Sequence, residues 1–409
     1  MNRQSWDLLI VGGGPVGTSL AVALAGRGLR LALLDARGPG SWGQGDGRAL
    51  ALGYGSRRIL EALGVWSELA DPTPIRKIVV SDRGHWGRAH ITAADGGLDA
   101  LGYVVRAGQL ALALERRLAA CADVERLCPA VVEDVALGVD GAQVVATTPR
   151  GQLMLNTQLL VAADGVHSAV RTQLALATRR RAYGQGAVVS ELTLRRPLEG
   201  TALERFTREG AVALLPLDDH RGTVICTVSN ALQARLMTLD DSGFERFLHS
   251  RFGDCLGVVD ALGPRHSYPL TRVEAADGVR SRLAIIGNAA HTLHPIAGQG
   301  LNLGMRDVAA LAQVVAEAQV AGLDWGSRPI LSRYTRLRWR DQRCTLAFTE
   351  GLLDVFAPSG WPFALARNLG LTAFDHAPWI KGKLARRAMG LAPPLLPLMA
   401  GEPLPAAGG

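Results

Sequence analysis

The chain is poor in cysteine and in aromatic residues, and it has no long apolar run. Its five cysteines (Cys121, Cys128, Cys226, Cys255 and Cys344) are scattered through 409 residues with no CxxC pair, and aromatics make up 5%. Such spacing reads as reduced thiols in a reducing compartment, not as a disulfide framework. No stretch of about 18 or more uninterrupted apolar residues occurs, so no transmembrane helix is expected. The first apolar run, Leu8 to Val11, leads directly into glycines with no cationic leader and no small-residue cleavage site. No signal peptide is therefore expected, and the expected location is cytoplasmic. Internal repeats are absent. His291 and His294 lie near each other without a carboxylate or cysteine cluster, which makes them poor metal ligands. The basic residues are not interleaved with aromatics in a stacking pattern, so nucleic acid is not expected as a partner. The densest basic run, Arg179-Arg180-Arg181, reads as an exposed hinge.

What is present is the composition of an ordinary globular protein, 48% hydrophobic and 20% charged, long enough for two or three domains. The net charge of +7 suits a phosphate-bearing cofactor, an anionic membrane or nucleic acid, and equally a solvated basic surface.

The chain opens as strand, turn, helix, strand. Trp6 to Val11 is a short apolar run of the kind found in buried parallel strands. Thr18 to Arg27 is rich in Ala and Leu and suits a helix, with Gly28 at its end. Arg30 to Leu34 is a second strand ending at Asp35, which completes a βαβ beginning. Further on, Ile75 to Leu98 looks extended. Arg106 to Ala120 carries Leu110, Leu114 and Leu118 at helical spacing. Val131 to Thr148 reads as a meander, and Leu159 to Ala163 as a buried strand. From about Tyr183 to Tyr268 strand-like runs (187–194, 211–217, 223–229) precede a helix over 242–252. Leu283 to Ile286 is again a buried strand, followed by a glycine-rich loop and a long helix from about Asn302 to Ala321. The tail from about Ile330 is helical and basic, and its Pro- and Gly-rich end is expected to fray.

Gly12, Gly14 and Gly17 form GxGxxG. The first glycine makes the tight turn, the second lets the backbone approach a pyrophosphate, and the third lets helix pack on strand. The phosphates would sit at the positive end of the helix. Asp35, at the end of the second strand, suits the ribose hydroxyls. This motif alone does not choose between FAD and NAD.

Two further stretches do choose. One is Leu160-Val161-Ala162-Ala163-Asp164-Gly165-Val166-His167-Ser168-Ala169-Val170-Arg171. The other begins Leu283-Ala284-Ile285-Ile286-Gly287-Asn288-Ala289-Ala290-His291. It continues Thr292-Leu293-His294-Pro295-Ile296-Ala297-Gly298-Gln299-Gly300-Leu301-Asn302-Leu303-Gly304. Gly298, Gly300 and Gly304 let backbone N–H groups near a helix start face a ligand, and such donors suit the electron-rich edge of a reduced isoalloxazine. Pro295 offers a flat apolar surface without an N–H. His291 and His294 read mainly as hydrogen-bonding supports.

The three motifs in order resemble the single-component FAD-dependent aromatic hydroxylases, the para-hydroxybenzoate hydroxylase class. Asn288 replaces the Asp of the broad class. Asn there, with the run through Asp307, resembles the polyprenyl-methoxyphenol hydroxylases of the ubiquinone-biosynthesis branch. Asp46-Gly47-Arg48-Ala49-Leu50-Ala51-Leu52, Val80-Ser81-Asp82-Arg83-Gly84-His85 and Leu203-Glu204-Arg205-Phe206-Thr207-Arg208 are similar to that branch too. The resemblance extends to about residue 380.

It implies an α/β fold: a Rossmann-like FAD-binding domain in three pieces (1–75, 100–178 and 273–329), an inserted α+β substrate domain (76–99 and 179–272) and a helical C-terminal region (330–409). It implies FAD contacts from Gly12, Gly14, Gly17, Asp35, Arg48, Arg106, Asp164, Gly165, Gly287, Asn288, Gly300, Leu301 and Asn302, with Gln109 one turn beyond Arg106. Pro295, Gly298, Gln299 and Gly300 would surround the flavin ring. The implied reaction uses NAD(P)H and O2, through a C4a-hydroperoxyflavin, to hydroxylate a prenylated phenol. No catalytic base is identified. Leu192, Leu194, Leu214, Leu215 and Leu217 are candidates for an apolar channel, or for plain sheet core. The tail residues Trp379, Lys381, Lys383, Arg386 and Arg387 suit either peripheral contact with the inner membrane or a solvated packed helix. Other ubiquinone-biosynthesis proteins are candidate partners. The alternatives are a flavin-bearing scaffold subunit and an epoxidase of another apolar substrate. A flavin halogenase is discounted because no tryptophan sits in a WxWxIP stretch.

Overall fold

The computed structural model describes residues 3–38, 41, 47–356 and 360–405; Asp46 and residues 406–409 lie outside the described residues. Its first sheet is built on the apolar N-terminal strand. Arg3–Val11 runs parallel to Gly151–Ala162 on one side and to Leu31–Leu34 on the other. Leu283–Ile285 and Val124–Leu127 extend the parallel set outward. Such strands are buried on both faces, which is why Leu8, Leu9, Ile10 and Val11 are all apolar. Leu8 and Ile10 face the helices Pro15–Leu24, Ala107–Ala119 and Gln299–Val320. Leu9 and Val11 face the antiparallel meander Val131–Leu137 and Ala142–Thr148 and the short helix Ala169–Gln173.

The second sheet has nine strands and is mostly antiparallel. Its main path runs His291–Thr292, His266–Ala275, Thr178–Leu194, Arg221–Ser229, Gly210–Pro216, Thr201–Thr207, Lys77–Asp82, Arg88–Thr92. One face packs on the helices Asn230–Thr238 and Asp241–Phe252. The other turns towards the glycine motifs of the first sheet. Because side chains alternate across a strand, the leucines proposed for a channel divide between the faces. Leu192, Leu194 and Leu214 lie in the core under the helices. Leu215 lines the open side, and Leu217 packs beside Ile75 and Ala202.

Three local readings change. Arg179-Arg180-Arg181 is exposed, but it is strand and not hinge, paired with Glu274, Val273 and Arg272 in antiparallel register. The Pro-rich end does not fray over Leu396–Gly401. Leu396, Leu398 and Met399 are buried, and the Pro397–Ala400 turn packs on the helix Tyr54–Ala62. Gly304 does not line the cavity described below. A Cβ there would stand 2.8 Å from Val16, so this glycine lets the Gln299–Val320 helix approach the dinucleotide turn.

Candidate active site

The strand-to-helix turn at residues 12–17 sets backbone directly against backbone. Gly12 has φ +112°, and a Cβ on it would lie 2.4 Å from the Ala163 carbonyl oxygen. A Cβ on Gly17 would lie 2.0 Å from the Gly12 carbonyl oxygen. Asp35 locks the turn by accepting from the Gly13 N–H at 2.6 Å and from the Arg37 N–H at 2.8 Å. The second motif packs directly behind, with Asp164 Cα 2.8 Å from the position of a Gly12 Cβ. Asp164 accepts from the Val170 N–H, while its Oδ1 is buried without a hydrogen-bond partner among the described residues. Burial pushes this carboxyl up, against hydrogen bonds led by that from Ser168.

The third motif reverses the chain before its helix. Ala297 (φ 59°) and Gly298 (φ 59°) are both left-handed, and the Gln299–Val320 helix starts immediately after them. Its first N–H groups have no intrahelical acceptor. A Cβ on Gly300 would meet no atom of the described residues within 4 Å. Asn302 anchors the loop with every hydrogen-bonding position of its side chain. Its Oδ1 accepts from Gly53 N and Ser56 Oγ, and its Nδ2 donates to the carbonyls of Ala51 and Gly298. Gln299 donates to the carbonyls of Ala297 and Ala388. Asn302 and Gln299 thus hold the loop in place and leave their backbone to a ligand.

Asp307 sits one turn beyond Gly304 and is fully buried. It accepts from Gly287 N (3.1 Å), His291 Nε2 (2.7 Å), Arg338 Nε (2.8 Å) and Gln342 Nε2 (3.0 Å). Burial alone would raise its pKa, but His291 and Arg338 outweigh it and hold the carboxylate well below the usual range. Asp341 ties Arg338 and the buried Arg306 into the same cluster. The hydrogen-bonding role expected for His291 is met here.

His294 is buried, stacked edge-on against Tyr183 at 4.9 Å. Its Nδ1 accepts from the Ile296 N–H, and its Nε2 faces Gln185 Oε1 at 3.3 Å, which suits the neutral tautomer with the proton on Nε2. Burial pushes its pKa down to about 4. An unfolded histidine binds a proton at about 6.5, so the stability that His294 contributes is complete above that pH. It falls as pH drops towards 4, by about 1.4 kcal/mol per unit. The stability difference between wild type and His294→Gln in urea titrations is therefore expected to shrink by roughly 1–2 kcal/mol between pH 7 and pH 5. A difference that stays constant across that range contradicts the assignment.

These elements converge on one cavity of about 1750 Å³. Gly12, Gly14, Asp35, Arg48, Asp164, Gly165, Asn288, Pro295, Gly298, Gln299, Gly300, Leu301 and Asn302 all line it. Gly17 and Gly287 stand just behind the wall, against the Gly12 carbonyl and Val16. Arg106 is not on the lining. It makes a two-pronged ion pair with Glu191 of the second sheet, its Nη2 3.0 Å from Oε2. Arg48 lies over the Tyr268 ring at 5.2 Å. The opposite wall is the open face of the second sheet, with Ile78, Val80, Ala213 and Ile225, and beyond it Phe363, Leu371 and Phe374 of the helix Trp361–Asp375. A site for one ligand of ordinary size occupies about 300–1000 Å³, so this cavity has room for a dinucleotide and a second molecule.

The residues fit FAD. Two helix N-termini aim their free N–H groups at one space, Gly300 leaves room for close approach, and Asp164 offers an unpartnered buried oxygen. Fold and site together define the class: a flavin-dependent oxidoreductase with an apolar chamber beside the flavin loop. Residues 5–343 match the FAD binding domain family. The ubiquinone hydroxylase UbiL of Rhodospirillum rubrum is 38% identical over 404 residues, covering 97% of this chain and 93% of its own. The 3-demethoxyubiquinol 3-hydroxylase of Escherichia coli K12 is 31% identical over 399 residues, covering 96% and 100%. In fold the chain is similar to the p-nitrophenol 4-monooxygenase PnpA of Pseudomonas putida, with TM-score 0.76 at 20% identity over 95% of this chain and 99% of that one. The chain belongs to the FAD-binding flavoprotein family and, within it, to the ubiquinone hydroxylases.

Proposed function

We propose that the protein hydroxylates the aromatic ring of a prenylated phenol in ubiquinone biosynthesis, using FAD, NAD(P)H and O2. The observation that carries this reading is the single cavity, glycine-lined on the nucleotide side and apolar on the facing sheet. The 1–75, 100–178 and 273–329 segments would hold FAD, and the 76–99 and 179–272 segments the substrate. When bound, FAD supplies the activated oxygen. The chain's own part is to bind, orient and exclude water. The N–H groups at the start of the Gln299–Val320 helix would face the electron-rich edge of the ring system, those of the Pro15–Leu24 helix the pyrophosphate, and Asp164 a sugar or ribityl hydroxyl. The purified protein is expected to be yellow and to consume NADPH faster when a prenylated phenol is added. Colourless protein after gentle purification contradicts the reading. Yellow protein that consumes no nicotinamide favours the scaffold alternative.

The substrate's tail suggests where the protein works. No helix among the described residues is long and apolar enough to cross a membrane. The Trp361–Asp375 helix lines the cavity with Phe363, Leu371 and Phe374 while Trp361 stands 78% exposed. Trp379, 73% exposed, lies on the neighbouring helix Pro378–Ala388 beside exposed Lys383, Arg386 and Arg387. Lys381 instead turns in towards Asp95 and Asp375. Aromatic and basic groups together suit an anionic lipid surface. Vesicles of phosphatidylglycerol are expected to co-sediment the wild type and to release a Trp361→Ser/Trp379→Ser variant. Equal sedimentation of the two, or none for the wild type, removes the membrane contact.

A further inference from the structure

The cavity face of the second sheet is apolar almost throughout. On adjacent strands it presents Val80, Ala202 and Phe206, Ala213 and Leu215, and Ile225. Glu204 interrupts it. This residue lies in the middle of Thr201–Thr207, in register with Ala213 on one side and Val80 on the other. Its neighbours Leu203 and Arg205 point the other way, Leu203 onto the helix-covered core and Arg205 to the Phe252 carbonyl. No hydrogen bond or ion pair to Glu204 is found among the described residues. Glu204 is half-buried at the cavity wall; a carboxyl so placed loses hydration, and it holds no part of the fold together in return. Phe206, the next residue on the same face, packs with Ile296, which follows Pro295 in the flavin loop. Two residues of strand separate Glu204 from that contact, about 7 Å.

We propose that Glu204 is the substrate's polar anchor and its base: it accepts the hydrogen bond of the ring hydroxyl and then its proton. This rests on the reading of the substrate as a phenol. The step breaks the phenolic O–H bond and forms a carboxyl O–H bond. The electron pair left on the phenolate oxygen enriches the ring carbons that an electrophilic oxygen attacks, and no further reactant is needed. Burial pushes the Glu204 carboxyl up to about 8, which brings it close to the working pH and to a phenol. The charged and titratable groups of the same cavity are Asp35, Arg37, Arg48, Asp164, His167, Tyr268, His294, Asp354 and Arg367, and none of them is a cause of the Glu204 shift. Arg367 is bound to Asp82, and His294 is neutral. Burial is the cause of the shift.

The test uses the FAD-loaded protein with 2-geranylphenol in detergent micelles. Perturbation of the flavin absorbance reads Kd without turnover between pH 6 and pH 9. Product formed per NADPH consumed is measured over the same range. For the wild type that ratio is expected to rise with pH through about 8. Glu204→Gln keeps a hydrogen-bonding side chain of the same size. Its Kd is expected to stay within about twofold, while its product ratio stays low and flat with pH. Glu204→Leu is expected to bind about five- to tenfold more weakly, the worth of one hydrogen bond of about 1 kcal/mol. A Gln variant that follows the wild-type pH profile, or a Leu variant with wild-type Kd, overturns the assignment. If the wild type itself neither binds nor hydroxylates the phenol, the substrate class fails first and takes this role with it.

Discussion

Replacing Gly17 by alanine is expected to give protein that carries no flavin. The added Cβ would stand 2.0 Å from the Gly12 carbonyl oxygen, a backbone atom that has no rotamer to escape into. The turn must then open, and opening it displaces the N–H groups that meet the pyrophosphate. Overpacking of this kind costs about 1–3 kcal/mol or more, so FAD affinity should fall by about 5- to 150-fold or more. Gly300→Ala provides the contrast. Its Cβ meets no atom of the described residues, so the thermal midpoint of the flavin-free protein should not fall. The methyl group enters the space assigned to the ring, so flavin affinity should still fall. Fluorescence titration with FAD and thermal melts of both variants check this. Full flavin content in Gly17→Ala contradicts the role of the turn. A Gly300→Ala variant that loses stability without losing affinity contradicts the role of the loop.

Asp307→Ala is expected to be the most destabilising single change in the site. It removes the acceptor for Gly287, His291, Arg338 and Gln342 at once. Asp341 is then left to balance Arg306 and Arg338, both buried. Breaking a buried pair by deleting one partner costs about 3–5 kcal/mol, because the remaining charge stays out of water. Removing both charges is a different matter. Asp307→Leu combined with Arg338→Met should recover a good part of that loss, since an apolar pair of similar volume is often no worse than the ion pair. Denaturant melts of the two variants decide it. A double variant less stable than Asp307→Ala contradicts the buried-charge explanation. Flavin content is a second readout, because Gly287 and the loop that follows it are registered on Asp307.

Much of the nucleotide half of the site is legible in the sequence, for a physical reason. The turn at 12–17 tolerates only glycine where backbone meets backbone, and a parallel strand buried on both faces must be an unbroken apolar run, as at 8–11 and 283–286. The long helix after the flavin loop announces itself in the same way. The other half depends on partners far apart in the chain. The ion pair that Arg106 makes with Glu191 spans 85 positions and leaves no local mark. Asp307 carries no local mark, since its four donors come from elements on either side of it. The leucines at 192, 194 and 214 show an alternation that fits either face of a sheet, and only the positions of the two covering helices decide which face is core. Glu204 did leave a signal: Ala202, Glu204 and Phe206 alternate on one face, so the acid breaks an apolar period of two. The Pro-rich tail departs from the expectation of fraying because Leu396 and Leu398 bury themselves against the Tyr54–Ala62 helix, a partner more than 300 positions away in the chain.

The central claim is that the cavity places a phenolic ring beside the flavin loop for oxygen insertion. Incubating the yellow protein with NADPH, 18O2 and 2-geranylphenol, and then analysing the product by mass spectrometry, tests it most directly. The expected product carries one 18O on an aromatic carbon, with its prenyl double bonds intact. Oxygen derived from water, or 18O found only at a prenyl double bond, contradicts the account.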